Sequence, residues 1–217
     1  MSILEIENLS VHYVGKTSTV KAVENASLKL EEGELLGIVG ESGCGKTTLA
    51  RSIMGVNPQA AEINSGQIYF EGKPLLKISK KDFIEDYKWK KISFIPQSAM
   101  NSLDPVYRIN DQMREILVIR GRLSKKDADL RSEELFNLVG IDTKRLRDFP
   151  HQFSGGMKQR VAIAMALALN PKIIIADEPV TALDVIVQRQ ILDLFNELRE
   201  KLNLSIILVT HDVSVVA

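Results

Sequence analysis

Residues 40–48, GESGCGKTT, decide how this chain folds. They follow the apolar run LLGIV at 35–39, which predicts a buried strand, and they precede LARSIM at 49–54, which predicts a helix. A glycine-rich loop that joins a strand to a helix and ends in Lys-Thr is the arrangement that binds the phosphates of a nucleoside triphosphate. A glycine-rich turn with a chance Lys-Thr is the alternative, and the strand and helix on either side argue against it.

Each residue type in this loop suits contact with a triphosphate. The glycines allow turns that a Cβ would forbid, so that successive N–H groups converge on phosphate oxygens. Lys46 supplies a positive charge for the β- and γ-phosphates, and the Thr47 hydroxyl is placed to ligate Mg²⁺. The nucleotide contacts expected from the loop are Gly40, Ser42, Gly43, Cys44, Gly45, Lys46, Thr47 and Thr48.

Composition limits the other possibilities. The 217 residues are 45% hydrophobic and 26% charged, and 28 Lys and Arg balance 28 Asp and Glu, which argues against a broad nucleic-acid surface. The longest apolar run, 161–169, is far shorter than the roughly 20 residues that span a bilayer. Residues 1–10 are unlike a signal peptide, and the single Cys44 excludes an intrachain disulfide and suits a reducing compartment. We expect a soluble chain that reaches a membrane only through a partner.

The pattern along the rest of the chain predicts an α/β fold. Alternating or apolar runs predict strands at 4–7, 20–23, 26–30, 35–39, 66–70, 92–95, 172–176 and 205–210. Helical patterns cover 111–120, 124–139, 154–169 and 185–202. We expect a mainly parallel core with an N-terminal antiparallel β subdomain, together spanning about 1–97 and 166–217, and a helical subdomain at about 98–165.

Residues 173–178, IIIADE, supply a second half of the predicted site. An apolar strand that ends in carboxylates places them where an open parallel sheet binds its ligands. Asp177 is positioned to hold the Mg²⁺ shell, and Glu178 can polarise the water that attacks the γ-phosphate. A polar turn after a strand is the alternative, and the phosphate loop upstream makes it the weaker explanation.

Ser154, Gly155 and Gly156 separate this chain from other proteins with a phosphate loop. On their own they are a weak signal, since a serine N-cap with glycines often only starts a helix. Here they open a predicted helix shortly before the Asp-Glu strand and are followed by MKQR at 157–160. With its motifs in this order, the chain resembles the nucleotide-binding subunit of an ATP-binding cassette (ABC) transporter.

The resemblance implies a P-loop NTPase core with the helical ABC insertion, ATP and Mg²⁺ as cofactors, and ATP hydrolysis. In that family two subunits pack head to tail, and each ATP lies between the P-loop of one and the signature helix of the other. The implied catalytic residues are Glu178, His211 as the switch histidine, Gln97 as the Q-loop glutamine, and Lys46. The implied Mg²⁺ ligands are Thr47, Gln97 and Asp177. Beyond the loop, the implied ATP contacts are the adenine-stacking Tyr13, the signature residues Ser154, Gly155 and Gly156, and Asp184 of the D-loop.

Three of these assignments need tests of their own. A histidine after a strand is more often structural, but residues 206–210 and Asp212 around His211 match the family's switch. Tyr13 has an alternative as an ordinary strand-end tyrosine. Cys44 lies next to the charge of Lys46, so we expect a maleimide to label it and inhibit ATPase, and MgATP to slow the labelling.

Several residues point to one branch of the family. The signature carries Phe153 and Met157 where leucine and glutamine are commonest, and the segments 98–106 and 185–188 are similar to those of dipeptide and oligopeptide import ATPases. That branch implies a second ABC ATPase subunit as partner, in a heterodimer or a homodimer. It also implies two transmembrane permease subunits, indirectly an extracytoplasmic substrate-binding protein, and a place on the cytoplasmic face of the cell membrane. Val180 stands where Ser or Thr is usual, and we expect only a local effect.

Other functions remain as alternatives. A soluble ABC-type ATPase acting on nucleic acid or the ribosome usually carries long coiled-coil insertions, zinc modules or fused cassettes, and the sequence shows none of these. A regulatory module without turnover is the third possibility, which Glu178 and His211 argue against. The chain ends at Ala217, where this branch normally continues, and we expect a missing edge to expose apolar sheet surface.

Overall fold

A computed structural model of the chain describes residues 2–212; Met1 and residues 213–217, with the chain end at Ala217, lie outside the described residues. The strands are, in chain order, β1 (Ser2–Val14), β2 (Thr19–Glu31), β3 (Leu35–Val39), β4 (Ala61–Phe70), β5 (Lys73–Pro74), β6 (Ile92–Ile95), β7 (Ile173–Asp177) and β8 (Ser205–Thr210). They form an antiparallel sheet with the order β2-β1-β4-β5 and a parallel sheet with the order β3-β8-β7-β6. The predicted α/β class, with a parallel core and an antiparallel N-terminal sheet, is confirmed.

The antiparallel strands are longer than the sequence pattern predicts. The short strands expected at 4–7, 20–23 and 26–30 are parts of two 13-residue strands. Both strands continue through an asparagine with left-handed backbone, Asn8 with φ 48° and Asn25 with φ 49°. The pairing register shifts around them, because an asparagine tolerates the left-handed conformation that a β-bulge often needs. A bulge interrupts the two-residue alternation of apolar and polar side chains. The sequence pattern therefore predicts several short strands where the structure has one long strand.

The parallel sheet separates two hydrophobic clusters. Every residue of β7 and β8 is buried, as expected for parallel strands covered on both faces. Ile174 and Ala176 pack with the helical side of the molecule, whereas Ile173 and Ile175 pack with the antiparallel sheet. The carboxyl ends of all the parallel strands meet at one edge, and the candidate site residues follow them there.

The helices are, in chain order, α1 (Lys46–Ile53), α2 (Lys80–Asp82), α3 (Ile109–Arg114), α4 (Lys125–Leu138), α5 (Gly155–Ala166) and α6 (Val185–Leu202). Two π-helical turns follow α2 and α3, at Phe83–Tyr87 and Glu115–Arg120, and short 3₁₀ segments occur at Leu75–Lys77, Ala99–Asn101, Thr143–Arg147 and Pro150–Gln152. No helix in the described part of the chain is both long and apolar enough to cross a bilayer.

The predicted helix bounds hold for α6 and fail for two other helices. The bounds of α6 are those predicted, with the Asp184 carboxylate accepting the Val187 N–H at 3.0 Å at its start. The helix predicted to run from 154 to 169 ends at Ala166 instead, because the chain turns before a left-handed Asn170 (φ 53°). The helix predicted at 111–120 is divided between α3 and a π-helical turn.

The helices α3 to α6 contribute to the hydrophobic cluster on the helical side, whereas α1 contributes to the cluster that includes the antiparallel sheet. The subdomain boundaries near 97 and 166 remain a prediction.

Candidate nucleotide site

The loop at 40–48 depends on two of its three glycines for its backbone. Gly43 has φ 84° and Gly45 has φ 98°, both in the left-handed region. A Cβ on Gly45 would lie 2.0 Å from the Ala22 carbonyl oxygen, so this position accepts no side chain. Gly40 does not have a positive φ. It is confined instead by crowding, because a Cβ there would lie 2.9 Å from the Cys44 sulfur.

The loop holds the Lys46 ammonium at its own centre. Lys46 Nζ donates to the carbonyl oxygens of Gly40 and Glu41, each at 2.7 Å, and lies 3.7 Å from Cys44 Sγ. The Lys46 residue is only 8% exposed although it is charged, whereas Cys44 is exposed. The charge is therefore fixed by the backbone at a point that an anion entering the loop would reach.

Thr47 and Asp177 meet at the end of β7. Thr47 Oγ1 donates to Asp177 Oδ1 at 3.2 Å, and Asp177 is 1% exposed. Burial raises the pKa of the Asp177 carboxyl, and the charge of Glu178 adds to the rise, while the Thr47 hydrogen bond and the charges of Arg51 and Lys46 oppose it. The second carboxylate oxygen, Oδ2, is buried without a hydrogen-bond partner. A bound cation would give this buried oxygen the partner that it lacks.

These residues fit a magnesium ion that is shared with a phosphate ligand. A hydroxyl and an unpartnered carboxylate oxygen are the ligand types that Mg²⁺ prefers, and Mg²⁺ usually takes its other ligands from phosphate and water. Across residues 2–212, no group of three or more His, Cys, Asp and Glu side chains could hold a metal ion by itself. The expected role of Thr47 and Asp177 as metal ligands therefore remains compatible with the geometry and is not yet tested.

Glu178 lies at the centre of a hydrogen-bonded cluster. Gln97 Nε2 and Thr181 Oγ1 donate to its Oε2 at 3.0 and 3.1 Å, and His211 Nδ1 lies 3.2 Å from its Oε1. The Glu178 backbone is left-handed, with φ 49°, and its N–H donates to the Val209 carbonyl at 2.8 Å. A non-glycine residue in this conformation is strained and needs its neighbours to hold it. The structure thus brings together three of the predicted catalytic side chains.

Two details of this cluster differ from the sequence-based expectation. The hydrogen bond that Gln97 makes is to Glu178, so its predicted role as a metal ligand stays a prediction. Thr181 was not predicted to belong to the site, although it follows Glu178 by three residues in a turn closed by the Thr181 N–H to the Glu178 carbonyl at 3.3 Å. The available signal was a hydroxyl residue just after the paired carboxylates.

Tyr13 lies next to the loop. Its hydroxyl is 3.2 Å from the Thr48 hydroxyl, which joins the end of β1 to the first turn of α1. Thr48 is 8% exposed, so this contact fixes one side of the phenol close to the loop. The contact agrees with an adenine-stacking role in position, and the role itself remains a prediction.

The signature segment forms a separate region. Ser154 caps α5 by accepting the Met157 N–H at 3.4 Å, and both Ser154 and Gly155 are exposed. A Cβ on Gly156 would lie 2.6 Å from a Val187 methyl group, so close packing of α5 on α6 requires a glycine there. Among the hydrogen bonds of the described residues, none joins Ser154, Gly155 or Gly156 to the loop at 40–48. The predicted nucleotide contacts therefore fall into two regions of the molecule.

Comparison with known proteins agrees with these motifs. A family model described as ABC transporter matches residues 23–181. The dipeptide transport ATP-binding protein DppD of Lactococcus lactis subsp. cremoris (strain MG1363) is 45% identical over 218 residues, which cover 99% of this chain and 62% of that protein. The oligopeptide transport ATP-binding protein OppD of Bacillus subtilis (strain 168) is 45% identical as well, with 99% of this chain and 61% of that protein covered.

The fold has close relatives among solved structures. An ATP-binding cassette solved as a dimer in a post-hydrolysis state, bound to ADP and Pi, matches with a TM-score of 0.84 and 29% identity, covering 98% of this chain and 89% of that one. This chain spans less than two thirds of the length of the DppD and OppD relatives. The family model and the sequence relatives show that the chain belongs to the ABC transporter family.

Proposed function

We propose that this chain is the ATP-hydrolysing, energy-coupling part of a peptide importer. The observation that carries the proposal is the edge of the parallel sheet, where a loop-held Lys46, a Thr47–Asp177 pair and a clustered Glu178 lie together. These are the groups that binding and cleaving a triphosphate require. The relatives named for dipeptide and oligopeptide transport support the substrate class of the importer.

Binding would use the loop as it stands in the structure. Lys46 would exchange the Gly40 and Glu41 carbonyls for phosphate oxygens, which are stronger partners because they are charged. The Thr47 hydroxyl and the unpartnered Asp177 oxygen would hold Mg²⁺. When bound, this ion neutralises charge on the β- and γ-phosphates. Tyr13 would stack on the adenine beside the loop.

Hydrolysis would use the Glu178 carboxylate as the base that polarises the attacking water. Its Oε2 is fixed by Gln97 and Thr181, which leaves Oε1, next to His211, to accept the proton of the water. His211 would then be placed to stabilise the charge that develops on the γ-phosphate. Holding the base in one orientation before the reaction lowers the cost of reaching the transition state.

A second subunit would complete the site. Ser154 and Gly155 are exposed at the start of α5, where free N–H groups and the helix dipole attract an anion. We propose that they contact the γ-phosphate of an ATP held by the loop of a partner ATPase subunit, with Asp184 near the same interface. The dimeric state of the solved cassette relative supports this arrangement. Two permease subunits, and indirectly a substrate-binding protein, would complete the importer at the cytoplasmic face of the membrane. The alternative of a nucleic-acid or ribosome ATPase has no support among the relatives.

Replacing Glu178 with Gln tests the proposal. ATP affinity should stay within about twofold, because Lys46, Thr47 and Asp177 are untouched, and phosphate release should fall by on the order of 100-fold or more. Glu197→Gln, on the exposed face of α6 where Glu197 pairs with Lys201, is the matched control and should change neither measurement. A Glu178→Gln variant that hydrolyses MgATP at the parent rate, or a parent chain that does not bind MgATP, would contradict the proposed function.

A further inference from the structure

We infer that Arg145 is a positioning residue for the signature segment, defined as residues 153–157. Arg145 lies in the 3₁₀ segment Thr143–Arg147, and its guanidinium carbon is 4.6 Å from the centre of the Phe153 ring. Its Nη1 lies 3.3 Å from the sulfur of Met157. One side chain therefore contacts both signature residues that depart from the commonest family pattern. The inference rests on the proposed function, because it concerns how this segment meets a partner's ATP.

The remaining donors of Arg145 fix its plane. Nε donates to Asp148 Oδ2 at 2.8 Å, and Nη2 donates to the Gln152 carbonyl at 2.8 Å. A guanidinium can satisfy such separate partners at once because its donors lie in a rigid fork, and it can stack on an aromatic face at the same time. Phe153 is 5% exposed, so the ring is an anchored surface rather than a mobile one. Arg145 thus holds both flanks of Ser154 from outside the helix.

The contacts of Arg145 with Phe153 and Met157, called the clamp here, lie opposite the packing of α5 on α6. There, Gly156 lies against Val187 and allows the two helices to approach closely. On the exposed side, neither Ser154 nor Gly155 is buried against neighbours. The direction in which the first turn of α5 presents its N–H groups is therefore set by Phe153 and Met157, and through them by Arg145.

The chain provides a matched control for Arg145. Arg108 stacks in the same way on Phe149, with its guanidinium carbon 4.7 Å from the ring centre, and Phe149 in turn stacks on His151. Arg108 also donates to the backbone carbonyl of Arg147. Its contacts are with residues that precede the signature segment. Removing Arg108 therefore removes a cation–π contact from the same region and leaves the clamp on residues 153–157 in place.

The test compares Arg145→Ala, Arg145→Lys and Arg108→Ala in the Glu178→Gln background, which should retain bound MgATP. Three quantities are measured for each: the affinity for MgATP, MgATP-driven self-association by sedimentation velocity, and hydrogen exchange of the Met157 and Lys158 amides. Those two amides bond to Ser154 at the start of α5. Arg145→Ala should keep MgATP affinity within about twofold, weaken association by about tenfold and speed exchange at both amides. Arg145→Lys should be intermediate, since an ammonium retains the charge and loses the fork. Arg108→Ala should match the parent.

Each outcome has a distinct meaning. Arg145→Ala that associates and exchanges like the parent overturns the inference and leaves the proposed function standing. An Arg108→Ala variant with the same losses as Arg145→Ala also overturns it, because the effect would then be general to the region. If MgATP drives no association of the parent, the proposed two-subunit site fails for copies of this chain, and the exchange of Met157 and Lys158 alone decides the role of Arg145.

Discussion

The phosphate loop and the signature segment differ in how much of their binding chemistry is completed within the chain. The loop has its charge in place, since Lys46 is nearly buried and held by backbone carbonyls, and a carboxylate from β7 stands beside Thr47. Within the signature segment, Ser154 and Gly155 are exposed, and the Ser154 hydroxyl accepts the Met157 N–H at the start of its own helix. Under the proposed function, both regions would bind an anion through converging N–H groups. We therefore expect the loop to bind a phosphate within its own chain, and the signature segment to bind one held by another molecule.

The two regions also differ in the energetic cost that each carries before a ligand binds. The loop region contains an electrostatic cost that a bound cation would relieve, namely an unpartnered oxygen on buried Asp177, and the neighbouring Glu178 has a strained backbone. The signature region has a regular helix start, and the required glycine there serves packing against Val187. Part of the free energy of binding at the loop can therefore come from giving the buried Asp177 oxygen a partner. At the signature segment, the free energy of binding has to come from new contacts alone.

Lys46→Ala and Ser154→Ala separate the two regions most strongly. Lys46→Ala should weaken MgATP binding to the chain by on the order of 100-fold, because it removes the charge that the loop backbone positions for the phosphates. Ser154→Ala should leave MgATP binding to the chain unchanged within about twofold, since in the proposed arrangement Ser154 contacts the nucleotide of a partner subunit. Titration of both variants with a fluorescent ATP analogue measures the difference. Equal losses from the two changes would mean that one chain uses both regions on the same nucleotide.

Asp177→Asn tests whether the buried Asp177 carboxylate lowers the stability of the folded protein. Burial raises the pKa of Asp177 above its ordinary value of 3.8, so the folded protein holds this proton more tightly than the unfolded chain does. The metal-free parent therefore loses stability as pH rises through and above that value, and Asp177→Asn lacks this loss. At about pH 7 the variant should be more stable than the parent by about 1–2 kcal/mol without nucleotide, and MgATP should no longer raise its melting temperature.

Asp129→Asn is the control, because the pKa of Asp129 is shifted in the opposite direction from that of Asp177. The hydrogen bonds from Arg114 lower the pKa of Asp129, so its contribution to stability is present above its ordinary value of 3.8 and is lost as pH falls below it. Asp129→Asn should therefore destabilise the protein at about pH 7, and the difference from the parent should shrink in acid. Chemical denaturation at several pH values measures both variants. Parallel pH profiles for parent and Asp177→Asn would contradict the stored cost at the loop.

Thr181→Val and Thr181→Ser test how Glu178 is held. Valine keeps the shape and loses the hydroxyl that donates to Glu178 Oε2, so kcat should fall by about tenfold while KM stays within about twofold. Serine keeps the donor and should restore kcat to within about twofold of the parent. In a Glu178→Gln background, the valine change should have no further effect on the residual rate. A valine variant that raises KM and spares kcat would place Thr181 in binding rather than in orienting the base.

The sequence predicts the parallel core better than the antiparallel sheet. The strands at 35–39, 92–95 and 205–210 and the helix at 185–202 have the predicted bounds, because buried parallel strands are plain apolar runs and α6 has a clear cap at Asp184. The long strands β1 and β2 escape the pattern, since bulges at Asn8 and Asn25 shift the alternation. The π-helical turn after α3 has no sequence signal of its own.

In the candidate site, too, the sequence predicts some features and misses others. Motif residues such as Lys46, Asp177 and Glu178 could be found because each lies in a short local pattern that follows an apolar strand. The contacts that hold them could not, since Ala22 limits Gly45 and Arg145 reaches Phe153 across segments that no local pattern relates. Thr181 was not predicted because hydroxyl residues are common in turns. Only its hydrogen bond to Glu178 gives it a role in the site.

Tyr13→Phe and Tyr13→Ala give the smallest expected effects and refine the loop side of the comparison. Alanine removes the ring and its contact with Thr48, so MgATP binding should weaken by about fivefold, the roughly 1 kcal/mol of one aromatic stack, and the preference for ATP over GTP should narrow. Phenylalanine keeps the ring and loses only the hydroxyl contact, so affinity should change by less than about twofold. Isothermal titration with ATP and GTP measures both variants. If phenylalanine is as weak as alanine, Tyr13 acts by holding Thr48 and the first turn of α1, and the adenine-stacking role is wrong.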